Sequence, residues 1–409
     1  MDILYDMEEV LEMLVQFMVK NVLSFREENV LDMTAINAYK EHESNLIDNG
    51  SKEKFLRVAA IYGANASGKS NLYLAMYFFQ RIIMESFNNV EDDSMTALER
   101  YYQPFQFEEG KENSEFQIIE ILEDNEYKYG FEYNKKCIVA EWLYKKNLKT
   151  NRTVTIFERS SEKVDFGASV RKACDLYKDQ IPTETLLLSF FNKLKMKTNI
   201  FAEVYAGIMD TLVVRTDFCD DPRLLPAVLP KIIDSEKDNL LQFLSAIDTG
   251  IKDIGYDDNE KDIHFFTVHK GKDGKDYPLN LFYESEGTMK SIMLFIYARR
   301  AVLDNKSIFV DELNVKLHPL LLKFIVDLFY DETSSAQLIY TTHDTTLMDK
   351  RFFRRDQIWF VQKDEFGYSE LVALSDFKVR SDASFEKDYL AGVYGGIPNL
   401  KEFELKEGV

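Results

Sequence analysis

The chain contains Gly63-Ala64-Asn65-Ala66-Ser67-Gly68-Lys69-Ser70, which fits the pattern G-x-x-x-x-G-K-[ST]. This segment follows the apolar run Val58-Ala59-Ala60-Ile61-Tyr62 and opens a helical pattern at Leu72, Ala75, Met76, Phe79, Ile82 and Ile83. Strand, glycine loop and helix start form the context that such a loop needs to wrap phosphate. The glycines let backbone N–H groups curl around phosphate oxygens, and the helix N-terminus adds partial positive charge. Residues 63–71, with Asn71 closing the stretch, are the expected nucleotide cradle. Lys69 is expected to reach the β- and γ-phosphates of ATP, and Ser70 to ligate Mg²⁺. The competing reading is an ordinary glycine-rich turn.

A distant segment, Ser307-Ile308-Phe309-Val310-Asp311-Glu312, is a short apolar strand ending in two carboxylates. Asp311 is expected to hold Mg²⁺ through water and Glu312 to orient or deprotonate an attacking water, because phosphoryl transfer rests mainly on positioning and charge stabilisation. Another apolar strand, Gln337-Leu338-Ile339-Tyr340, runs into Thr341-Thr342-His343-Asp344. There His343 is placed to donate a hydrogen bond to a γ-phosphate. A third piece, Ser285-Glu286-Gly287-Thr288-Met289-Lys290, lies between a strand candidate at 279–283 and a helix at 291–303. Alone it reads as an N-capped helix; a hydroxyl, a glycine and a helix start also make an anion site.

In the order Walker A, signature, Walker B and switch histidine, the chain resembles the ABC-ATPase heads of chromosome-maintenance, recombination-repair and OLD-like proteins. Within that class it looks like the stand-alone bacterial AAA family ATPases of anti-phage defence islands, relatives of the ATPase subunits of PARIS and Septu systems and of RloB-associated ATPases. The resemblance covers most of the chain, from Val15-Gln16-Phe17-Met18-Val19-Lys20-Asn21-Val22-Leu23-Ser24-Phe25 to Tyr389-Leu390-Ala391-Gly392-Val393-Tyr394-Gly395-Gly396-Ile397-Pro398, with Leu317-His318-Pro319 and Arg355-Asp356-Gln357-Ile358-Trp359-Phe360 between. The resemblance implies an α/β P-loop NTPase fold of the ABC-ATPase head type, a mixed sheet with an antiparallel meander and a helical lid insertion. It implies ATP hydrolysis in a homodimer with composite sites, where Ser285 and Gly287 close over ATP held by a second head. Lys290 then either brings charge to the γ-phosphate or is a solvated helix lysine. The implied role is the regulatory ATPase of a cytoplasmic defence system that answers a phage trigger and controls a separately encoded effector such as a nuclease. The segment Leu313-Asn314-Val315-Lys316 takes the D-loop position without the usual small-acidic pattern. Gln103 and Gln106 are Q-loop candidates or strand-edge polar residues.

Bulk properties agree with this class. With 409 residues, 45% of them hydrophobic, the chain can bury one large core or two smaller ones. The three cysteines Cys137, Cys174 and Cys219 lack metal spacing, so disulfides and zinc are not expected. No apolar run approaches the roughly 20 residues of a membrane span. Asp2, Asp6, Glu8 and Glu9 make an acidic start unlike a signal peptide, and Met13 is an alternative start. The net charge of −20 weakens a reading as a broad DNA binder, since that affinity needs Lys and Arg to replace phosphate counterions. Two basic clusters remain as solvated faces or nucleic-acid contacts: Lys135, Lys136, Lys145, Lys146, Lys149 and Arg152, and Arg351, Arg354 and Arg355. A DNA-repair or DNA-loading ATPase is the alternative function, and a nucleotide-gated scaffold a third.

Three regions are expected: 1–170 as the first part of the head with P-loop and meander, 171–260 as a helical lid, and 261–409 as the remainder with signature, Walker B, switch histidine and tail. Alternation at 115–121, 126–133, 138–143 and 153–157 predicts the meander, and helices are expected at 185–194, 200–212 and 239–247. A hairpin is expected across 264–269 and 276–283, and strands at 358–362 and 368–373. Without sustained heptads, no coiled-coil arm is expected. Asp382, Glu386 and Asp388 read as solvated tail carboxylates.

Overall fold

Val58–Tyr62 is apolar without alternation, the pattern of a strand covered on both faces, and every residue in it is buried. In the computed structural model it is an inner strand of a six-stranded sheet. The order is Leu212–Arg215, Ser307–Asp311, Gln337–Thr341, Val58–Tyr62, Ile358–Lys363 and Ser369–Ala373. All neighbours run parallel except the last pair, which is an antiparallel hairpin. The structure describes residues 12–87, 95–108, 110, 113–194, 200–215, 225–247, 249–259, 262–380 and 383–397. Asp2, Asp6, Glu8, Glu9, Cys219, Asp382 and Pro398 lie outside them. The fold is mixed α/β, with the glycine loop between the strand Val58–Tyr62 and the helix Lys69–Glu85.

Alternate residues of the parallel strands feed two cores. Ala59, Ile61, Phe309, Ile339, Trp359 and Val361 face the first, and Val58, Ala60, Tyr62, Ile308, Val310, Leu338, Tyr340, Ile358 and Phe360 the second. Across the first core lies a seven-stranded antiparallel sheet that contains the expected meander. Its consecutive strands are Ser114–Leu122, Asn125–Tyr133, Ile138–Asn147, Arg152–Ser160 and Val164–Phe166, and Glu12–Lys20 and Asn29–Asp32 extend it beyond Ser114–Leu122. The P-loop helix Lys69–Glu85 is packed between the sheets, with Phe79 stacked on Phe131 at 5.6 Å and tilted on Phe116 at 5.7 Å. Burial of that aromatic face, worth about 2 kcal/mol for each large apolar side chain, fixes the helix whose first turn carries the chemistry.

The helices expected as one inserted lid divide between the cores. Leu187–Lys193 and Ile200–Asp210 pack with the antiparallel sheet in the first, while Leu225–Ala246 joins the signature helix Glu286–Leu303 in the second. The helix expected at 200–212 stops at Asp210, and Leu212–Arg215 continues as the edge strand beside Ser307–Asp311. The expected hairpin forms between Asp262–Lys270 and Asp276–Asn280, and a third strand, Ile251–Asn259, completes a small sheet. Cys137 and Cys174 are free thiols. Among the described residues, no helix is long and apolar enough to cross a membrane.

Candidate functional site

Parallel strands release their chains at one edge of the sheet, where α/β folds gather ligands. Here the strand ending at Thr341 lies between the P-loop strand and the Walker B strand. At about 4.8 Å per strand, Asp311 and the P-loop are thus separated by one residue-bearing row, enough space for a phosphate group and its ions. The electrostatics reflect this gathering: Lys69 feels Asp311 and Glu312, and His343 feels Lys69, Glu312, Asp311 and the Gly63 backbone.

Gly68 caps the P-loop helix at φ 115°, where L side chains are strained, and a Cβ there would lie 2.8 Å from Ser24 Oγ. Ala66 takes a left-handed φ of 62°. Lys69 is buried, and its Nζ donates to the carbonyls of Gly63 at 2.8 Å and Ala64 at 2.9 Å. Burial lowers its pKa to about 8, with Asp311 and Glu312 pulling the other way. Asn65 and Ala66 are exposed, Ser67 is buried, and Ser70 is half-buried in the first turn of the helix. A support that the sequence reading missed lies behind the loop. Ser369 Oγ donates to the Ser67 carbonyl at 2.6 Å and bonds Ser24 Oγ at 2.7 Å, and Asn71 Nδ2 also donates to Ser24 Oγ at 2.7 Å. The tail adds another: a Cβ on Gly396 would sit 3.7 Å from Gly63 Cα, and Tyr389 donates to the Gly396 carbonyl at 3.0 Å.

Thr341 organises the Walker B end. Its hydroxyl donates to Asp311 Oδ1 at 2.6 Å and accepts from the Glu312 N–H at 2.7 Å. Glu312 has φ 52°, a conformation costing on the order of 1 kcal/mol for a non-glycine residue, so surrounding contacts must hold it. Thr342 Oγ1 donates to Asn314 Oδ1 at 2.9 Å, tying the D-loop position to the switch segment. His343 is exposed as a residue but its ring is partly desolvated by the surrounding loop; that desolvation and then Lys69 lower its pKa, against Glu312 and a backbone hydrogen bond to Gly63. Ser70 Oγ and the Asp311 carboxylate are hard oxygen donors suited to Mg²⁺.

Ser285 and Gly287 lie at the start of the helix Glu286–Leu303, beside the D-loop position, whereas Lys290 on the same helix reaches the backbone of Glu312. Ser285 is exposed and caps its own helix by accepting from the Thr288 N–H at 3.0 Å. A Cβ on Gly287 would come within 3.0 Å of the Lys316 carbonyl, which makes glycine the residue that lets the helix start approach the D-loop position. Lys290 is fully buried, so it is not a solvated helix lysine; its Nζ donates to the Val315 carbonyl and lies 3.5 Å from that of Glu312. The Q-loop candidates are exposed, and Gln106 Nε2 donates to the Pro104 carbonyl at 2.6 Å.

The basic clusters are largely engaged within the chain. Lys146 pairs with Glu126, Lys149 with Asp124, Arg351 with Asp349 and Arg355 with Glu41. Lys145 lies over the Tyr127 ring, and Arg354 is completely buried on Asp356. Nor are the described tail carboxylates simply solvated: Glu386 accepts from Thr345 Oγ1 at 3.0 Å and Asp388 from Tyr394 OH at 3.1 Å.

No curated protein matches the chain. Among solved structures it is similar to an SMC head bound to the C-winged helix domain of ScpA, at 14% identity and a TM-score of 0.41, covering 92% of this chain and 99% of that one. It is also similar to the SMC head domain from Thermotoga maritima, at 13% identity and a TM-score of 0.39, covering 88% and 98%. Residues 58–178 and 219–349 match the family model described as "AAA domain, putative AbiEii toxin, Type IV TA system". With Walker A, the signature segment, Walker B and the switch histidine all inside the matched residues, the chain belongs to this family of AAA ATPase domains.

Proposed function

We propose that this protein binds and hydrolyses ATP with Mg²⁺, as the regulatory subunit of a cytoplasmic anti-phage defence system that controls a separate effector. The observation that carries the hydrolytic part is the placement of Lys69, bonded to the Gly63 carbonyl, one strand away from Asp311 and Glu312, which Thr341 on the intervening strand holds. Lys69 would exchange its two loop carbonyls for β- and γ-phosphate oxygens, a swap between hydrogen-bond acceptors that needs no new cavity. Bound Mg²⁺, held by Ser70 and Asp311, would supply charge neutralisation on the phosphates. Glu312 would orient the attacking water, and a neutral His343 would donate one N–H toward the γ-phosphate. Two heads would pair so that Ser285 and Gly287 of one cover ATP in the other, and such dimers can build larger assemblies. The family description names a putative toxin of a TA system, which fits a separately encoded second component; the partner proposed here is a nuclease effector or a phage trigger protein. The DNA-loading alternative is disfavoured by the internal pairing of the basic clusters; DNA affinity with a steep salt slope would reinstate it.

Steady-state hydrolysis and nucleotide binding test the chemistry. Glu312→Gln should keep ATP binding and lose about 10²-fold or more in turnover, whereas Lys69→Ala should weaken binding itself. Wild-type turnover in Glu312→Gln removes that residue from the mechanism. For the composite sites, Ser285→Arg mixed with Lys69→Ala should regain activity that neither has alone. Co-purification from the native host, with and without ATP, tests the partner; resistance conferred by the isolated ATPase with nothing bound defeats the two-part reading.

A further inference from the structure

Glu312 is held by both of its peptide units. Its N–H donates to Thr341 Oγ1 at 2.7 Å, and its carbonyl accepts from the Val315 N–H at 3.1 Å. The carbonyls of Glu312 and Val315 both turn toward the fully buried ammonium of Lys290. Lysine is rarely buried unless paired, and a left-handed turn directs carbonyls where no strand N–H meets them; an ammonium with three donors answers both needs. Because the Glu312 backbone lies at φ 52°, the direction of its carboxylate depends on those anchors. Lys290 also lies about one helical turn beyond Gly287, which abuts the Lys316 carbonyl, while Ser291 Oγ donates to the Gly287 carbonyl at 2.6 Å.

We propose that Lys290 is a positioning residue for Glu312 of its own chain, transmitting the placement of the signature helix to the water-orienting carboxylate, and that it does not contact the nucleotide of a second head. The inference rests on the reading of Glu312 as that carboxylate. It gives the signature segment two tasks: it covers ATP in the opposite head and sets the hydrolytic geometry in its own. ATP closure at one site would then adjust turnover at the other.

The decisive comparison separates action within a chain from action across chains. Lys290→Met, which keeps length and removes the donors, should lower kcat about 10²-fold and leave ATP affinity within about twofold. Lys290→Gln, with an N–H retained, should lose less. A mixture of Lys290→Met with Glu312→Gln should remain inactive, because each chain then carries a defective carboxylate. If Lys290 reached the partner's nucleotide, that mixture would rebuild one complete site. Recovered turnover in the mixture, or a Lys290→Met protein that loses ATP affinity with kcat intact, overturns the proposal. Thermal melting checks that Lys290→Met folds; if it does not, Lys290→Gln and Lys290→Arg carry the same kcat-against-affinity comparison and the same mixing. The Ser285→Arg and Lys69→Ala pair is the control for composite sites. Should that control stay inactive, composite sites fail, while the split between kcat and affinity still decides the role of Lys290.

Discussion

Burial lowers the Lys69 amine from the ordinary lysine value to about 8, against the pull of Asp311 and Glu312. Below that pH the cation is present and ready for phosphate. Above it, binding ATP must first return a proton to the amine, so the apparent affinity should fall by up to about tenfold per pH unit. Calorimetric titration between pH 6.5 and 9.5 measures this: a flat affinity at first and a decline above about pH 8, with proton uptake on binding in the alkaline range. An affinity independent of pH across the whole range would show that the ammonium is not linked to phosphate. Imidazole titration adds little at the alkaline end, since burial and Lys69 depress His343 below its usual value.

Single elements are fixed by polar contacts as much as by apolar faces. Glu141, on Ile138–Asn147, is fully buried and accepts from the Leu187 N–H at 2.7 Å, the Leu188 N–H at 3.1 Å and Tyr129 OH at 3.0 Å, with Arg159 at 3.8 Å. It thus caps the helix Leu187–Lys193 from the neighbouring sheet. Glu141→Ala leaves three buried donors without an acceptor, while Arg159 keeps the carbonyls of Thr185, Pro182 and Thr183, and should cost about 3 kcal/mol in urea unfolding. A loss under about 1 kcal/mol would mean that water enters and replaces the carboxylate. Such contacts also mark where reading from sequence stops. The strands 114–160, the P-loop and the acidic end at Asp311 were legible because alternation, glycines and carboxylates carry their own signal. Thr341, Ser24 and Ser369 carry none: each hydroxyl gains its role only through partners on other elements, about 30 positions away for Thr341 and 345 for the Ser24–Ser369 pair. Ile251–Asn259 escaped because Lys252, Asp253, Asp257 and Asp258 mask its period, and Leu212–Arg215 because it directly continues a helical run. Lys290 could be read as a surface charge or a phosphate contact; its burial depends on packing that spacing does not encode.

At the scale of the whole molecule, a net charge of −20 gives the chain an acidic surface on balance. The strand order has a consequence in time. Val58–Tyr62 is synthesised well before its sheet neighbours Gln337–Thr341 and Ile358–Lys363, and Gly396 reaches back to Gly63. At 5–20 residues per second, the loop waits on the order of tens of seconds on the ribosome for the strands that complete it. A chain halted after residue 330 contains both the P-loop and the Asp311 carboxylate, but should show no saturable binding of a fluorescent ATP analogue. The full chain should bind it. Saturable binding by the halted chain would mean that the early strand finds a substitute neighbour. Otherwise the glycine loop of each nascent copy lacks its sheet neighbours until Gln337–Thr341 and Ile358–Lys363 have emerged, and a translation product cut short before them lacks the completed cradle.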